Sequence, residues 1–103
     1  MPIMDRERFW DLDDGVRAFY QRTSTYPVEY AITLRVLRDG RWRTIHLFDN
    51  AHGVDEHHEH SYVDSCKQPP LVRDCDTNTA MAVALETLFT TWPQILDTWE
   101  HTR

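Results

Sequence analysis

The chain has 103 residues, a length that fits one domain spanning residues 1–103, and 41% of them are apolar, enough for one modest core. The formal net charge is −6. That balance excludes broad binding to nucleic-acid backbones, which calls for a basic face, and leaves room for a local basic strip or a basic protein partner. Asp5, Glu7, Asp11, Asp13 and Asp14 stand where a signal peptide needs an apolar run, and no apolar run is long enough for a bilayer. A cytoplasmic protein is expected, with Cys66 and Cys75 as free thiols. The three glycines supply no glycine-rich phosphate loop.

In chain order, the first expected element is a helix. Phe9, Leu12, Val16 and Phe19 or Tyr20 recur at steps of three and four, with Asp5 or Asp11 as a cap. It should stop before Tyr26-Pro27, because the residue before a proline avoids the helical region. Val28 to Leu37 then alternates as a strand, with Tyr30, Ile32, Leu34 and Val36 on one face. Asp39-Gly40 is a hairpin turn signal, and a return strand runs from about Trp42 to Phe48. His58 to Val63 reads as a third strand and Leu71-Val72 as a short edge strand. From Asp76 or Thr77, a helix carries Met81, Ala84, Leu85, Leu88 and Phe89 in a stripe, kinked or broken near Pro93. The expected fold class is α+β: an N-terminal helix, an antiparallel sheet of three to four strands built on the 28–48 hairpin, and a C-terminal helix packed on one sheet face.

Chemistry concentrates in one stretch. Five of the six histidines lie between positions 46 and 60. On a strand, His58 and His60 share one face while His57 and Glu59 take the other. Asp49 ends the preceding strand and His52 lies in the turn, so Asp49, His52, His58 and His60 are expected to converge. Two chemistries need such a group. Histidines can divide the acid and base roles of metal-free RNA cleavage, with Asp49 orienting one ring. Alternatively, His52, His58 and His60 with a carboxylate form a site for divalent zinc, iron, nickel or manganese. Spacing alone does not decide between no cofactor and a divalent transition metal, and the zinc-protease pattern HExxH is absent.

Other candidates carry less. Cys66 and Cys75 do not have zinc-knuckle spacing. Arg35, Arg38, Arg41 and Arg43 gather about the hairpin turn, where Arg35 or Arg43 can steady a phosphate. The four tryptophans are expected in the core.

The run Ile45-His46-Leu47-Phe48-Asp49-Asn50-Ala51-His52, followed by His57-His58-Glu59-His60, resembles the TumE-like family of toxin–antitoxin operon proteins. The similarity spans roughly residues 28 to 100. It is strongest at Asp49, Asn50, His58 and His60, with His52 and His57 next. The resemblance implies a cytoplasmic toxin-like ribonuclease encoded beside an antitoxin with a DNA-binding helix-turn-helix. On that reading Asp49, His52, His58 and His60 are catalytic, and Arg35, Arg43 and Asn50 bind substrate. Expected partners are an antitoxin or target protein, RNA, and a second copy in a homodimer, with no membrane. The alternatives are a non-catalytic acidic inhibitor or antitoxin-like protein of phage or defence context, and a His/Asp metal-binding protein.

Overall fold

The structure, a computed structural model, describes residues 4–50, 56–63, 66–68 and 71–101. Its elements are β1 (Arg6–Asp13), β2 (Val16–Arg22), β3 (Tyr30–Arg38), β4 (Arg41–Asp49), β5 (Glu56–Val63), β6 (Cys66–Lys67), β7 (Leu71–Asp74) and α1 (Thr77–His101). Strands β1 to β5 form an antiparallel meander in which each pairs with its sequence neighbour, and β6 and β7 both pair with the far edge of β5.

The expected N-terminal helix is a β-hairpin, and the strands outnumber the three to four expected. Asp14-Gly15 forms the turn, with Gly15 at a φ of 71°. Trp10 and Leu12 before it, and Val16, Ala18 and Tyr20 after it, then alternate toward one face, where Val16 and Ala18 are buried. Pairing against β3 over the whole length of β2, from Val16↔Val36 to Arg22↔Tyr30, holds this segment extended. The apolar steps of three and four were a coincidence of two strands joined by a tight turn.

The central hairpin lies where alternation places it. Asp39 and Gly40 both take positive φ, 54° and 76°, the pairing that a two-residue turn needs to match strand twist. Tyr30, Ile32, Leu34 and Val36 are all buried on the face that α1 covers. A register shift between Leu34 and Arg35 turns Ile45 into that same core.

Helix α1 starts at an Asp76 cap. Oδ1 of Asp76 accepts from Thr79 N at 2.9 Å, and Oδ2 accepts from the Thr79 hydroxyl at 2.7 Å. Ala80, Met81, Ala84, Leu88 and Trp99 are buried against the sheet. Of the kink or break expected near Pro93, the break is not made, because Pro93 lies inside one continuous helix. Thr90 and Thr91 hydroxyls bond back to the carbonyls of Glu86 and Thr87 one turn before it. No helix among the described residues is long and apolar enough to cross a membrane.

Two outcomes test this account. Asn50 is 2% exposed, accepts from Tyr30 N at 2.9 Å and donates to Val28 O at 2.8 Å. Asn50→Ala strands both main-chain groups and is expected to cost about 2–4 kcal/mol by urea denaturation. The hydrogen bonds from Thr79 hold the Asp76 carboxyl below its ordinary value. A lowered folded-state value means the cap is at full strength above the ordinary carboxylate range and is lost as pH falls through the lowered value. Asp76→Asn keeps a capping oxygen and should flatten the acid limb of a melting-temperature profile while leaving neutral pH little changed.

Candidate functional site

The site is built on β4 and β5. Their antiparallel register seats Asp49 opposite His58 and Leu47 opposite His60. Directly opposed residues share a face, and so do alternate residues along a strand. Asp49, His58 and His60 therefore lie together on the face turned away from α1. One potential ligand atom from each lies within 4.8 Å of the others. The His58 and His60 rings sit 5.8 Å apart, and the two residues are 8% and 5% exposed.

The second nitrogen of each ring is engaged in a way that sets its protonation. His60 Nδ1 lies 3.2 Å from the Gln68 carbonyl oxygen. A carbonyl only accepts, so Nδ1 carries the proton and the neutral ring has its lone pair at Nε2. His58 Nε2 lies 3.1 Å from a Glu56 carboxylate oxygen. An ionised carboxylate also only accepts, which assigns that proton to Nε2 and the lone pair to Nδ1. His60 Nε2 and Asp49 Oδ1 are buried without a hydrogen-bond partner among the described residues.

The opposite face of β5 carries a different network, under α1. His46 Nε2 lies 2.8 Å from Glu59 Oε2, and Arg73 donates to Glu59 Oε1 at 2.8 Å. The hydrogen bond from His46 holds the Glu59 carboxyl below its ordinary value, with the charges of His46 and Arg73 adding and burial opposing. His57 donates from Nε2 to the Cys75 carbonyl at 2.7 Å, which leaves Nδ1 to accept from the Tyr30 hydroxyl at 2.9 Å. Burial pushes that hydroxyl above its ordinary value, and the nearby Asp49 carboxylate adds to the shift. It stays a donor.

The residues singled out from the sequence separate accordingly. Asp49, His58 and His60 come together. His52 lies outside the described residues. Asn50 has its amide committed to Tyr30 and Val28. Arg35 is on the site's face, but its Nε bonds the Thr33 hydroxyl at 3.1 Å and its guanidinium lies 4.4 Å from the Phe19 ring centre. Arg43 pairs with Val36, which places it on the other face, 3.8 Å from Asp39. His46, Glu59, Arg73 and Tyr30 were missed. The available signal was the same alternation: Glu59 and His57 face away from His58 and His60.

No family model, curated protein or solved structure matches this chain.

The tautomer of His57 has a measurable consequence. Tyr30→Phe leaves its Nδ1 lone pair buried and is expected to cost about 1–2 kcal/mol by denaturant unfolding.

Proposed function

We propose that the chain is a metal-binding protein that holds a divalent first-row transition metal through Asp49, His58 and His60. The observation that carries this reading is the pairing of outer and inner atoms at His60. The outer Nδ1–H is spent on a backbone carbonyl, while Nε2, like Asp49 Oδ1, is buried without a partner among the described residues, and one potential ligand atom of each residue lies within 4.8 Å of the others. Histidines that ligate metals characteristically give their other N–H to a carbonyl or carboxylate, which fixes the ring and raises its basicity. Glu56 supplies the equivalent partner for His58. Leaving buried acceptors unmatched is costly, and a cation at their common point removes that cost.

The donor set is two imidazoles and one carboxylate. It suits zinc, iron, nickel or manganese over the all-oxygen sites of calcium and magnesium. Ligand atoms about 2.1 Å from a tetrahedral metal are roughly 3.4 Å from one another, so a group within 4.8 Å closes by about 1 Å of side-chain adjustment. Three protein ligands would leave at least one position for a ligand as small as water. A metal held by Asp49, His58 and His60 would supply Lewis-acid chemistry toward that water.

The same three side chains are also what a metal-free, toxin-like ribonuclease would use, with His58 and His60 as acid and base and Asp49 orienting them. Burial favours the metal: a substrate hydroxyl and its leaving group must both reach the rings, and these are 8% and 5% exposed.

Elemental analysis of protein purified without a nickel column is the test. About one equivalent of a single transition metal per chain is expected. Titration of metal-free protein should raise its stability by about 2.7 kcal/mol at a hundredfold excess over Kd. His60→Ala and Asp49→Ala should each weaken binding by more than the roughly 10–100-fold that loss of an outer partner costs, and Glu56→Gln by about that outer-partner amount. Metal well below one equivalent, with no stabilisation on titration, overturns the proposal. RNA cleavage by the metal-free protein that is lost in a His58→Ala/His60→Ala variant would establish the ribonuclease reading in its place.

A further inference from the structure

Helix α1 packs over β3, β4 and β5, and its C-terminal half leaves a cavity of about 220 Å³ against the β4–β5 pair. Ile45 and His46 of β4, Ser61 of β5, and Ile95, Thr98 and Trp99 of α1 wall it. Ile45 and Trp99 are buried, while Ser61 and Thr98 are exposed and stand at its mouth. The cavity lies on the helix side of the sheet, opposite Asp49, His58 and His60, and is independent of the metal site.

The walls restrict what can enter. Among the described residues no Lys, Arg, Asp or Glu lines the cavity. A charged ligand would lose its water there and meet no counter-charge, so the occupant is neutral. An apolar cavity of about 150 Å³ holds benzene, so about 220 Å³ is room for one ring with a small substituent. Trp99 offers that ring an aromatic wall, on which edge-on or offset contact is favourable.

One polar group in the wall is unmatched. His46 is 7% exposed; it lines the cavity and bonds Glu59, which does not line it. The Glu59 carboxyl, held below its ordinary value by the hydrogen bond from His46, is ionised and only accepts. His46 Nε2, 2.8 Å from that carboxylate, therefore carries the proton, and the lone pair is at Nδ1. Nδ1 is buried without a hydrogen-bond partner among the described residues. A buried acceptor left unmatched is costly, and a donor held in the cavity removes that cost.

We propose that this cavity binds a small neutral aromatic molecule of the phenol class, its ring against Ile45, Ile95 and Trp99 and its hydroxyl donated to His46 Nδ1. The Arg73–Glu59–His46 chain then acts from behind the wall. Arg73 and Glu59 fix the tautomer, and the tautomer makes the cavity select a donor over an acceptor.

Titration of the isotope-labelled chain with phenol, followed by proton–nitrogen NMR, tests this. Phenol should saturate at one molecule per chain with a Kd of about 1 mM or tighter. The His46 Nδ1 resonance should shift as its lone pair takes a hydrogen bond. Toluene, which matches phenol in shape and lacks the donor, should bind at least about tenfold more weakly and leave Nδ1 where it was. Thr98→Phe brings a ring into the mouth from an exposed position and should weaken phenol binding at least about tenfold. Ile95→Trp takes its place should circular dichroism show that variant unfolded. Phenol that does not saturate, toluene that binds as tightly, an Nδ1 resonance that stays put, or binding that survives the filled cavity each overturns the proposal.

Discussion

The register between β4 and β5 is the constraint on which the rest depends. It seats Asp49 against His58, and the period of two then delivers His60 to the same face. A slip of one residue would turn Asp49 toward Glu59 and exchange every side chain of β5 between the faces. Three features pin this register. The Asn50 amide ties the end of β4 back to Val28 and Tyr30. His46 and Glu59 clasp across the strand pair on the helix side. β6 and β7 close the outer edge of β5, and Gln68 both donates to Ser61 and accepts from His60.

Strand β5 thus carries two polar systems back to back. Glu59 and His57 face α1 and are fully engaged by His46, Arg73, Tyr30 and a main-chain carbonyl. The hydrogen bonds of Glu59 and of both His57 ring nitrogens close within this network, while His46 Nδ1 is buried without a partner among the described residues. His60 and Asp49, on the opposite face, retain buried acceptors. The contrast is what makes the site distinctive. In one strand of alternating polarity, one face is tied into hydrogen bonds under the helix and the other keeps buried acceptors at His60 and, across the strand pair, at Asp49.

Much of this was legible in the residues. Alternation from Tyr30 to Val36, the Asp39-Gly40 turn and the spacing of Met81, Ala84 and Leu88 each have one physical interpretation. The N-terminal segment had two. Phe9, Leu12, Val16 and Phe19 fit a helical stripe. Trp10, Leu12, Val16, Ala18 and Tyr20 fit two strands once Asp14-Gly15 is recognised as a turn. Only the long-range pairing of β2 with β3 settles the matter, and local periodicity does not contain it. Within the site, alternation alone places His58 and His60 on one face, and the β4–β5 register adds Asp49. The engagement of Glu59 by Arg73 and of His57 by Tyr30 does not follow from alternation, because those partners arrive from other strands.

The meander order has a kinetic meaning. Every strand from β1 to β5 pairs with its immediate neighbour in sequence, so each step of assembly closes only a short loop. The sheet can grow outward from the β3–β4 hairpin one strand at a time. The docking of α1 back over β3, β4 and β5 joins segments far apart in sequence. Strand β5, which carries His58 and His60, pairs directly with β4 of that hairpin, so the local geometry of the site rests on neighbouring strands and not on the helix.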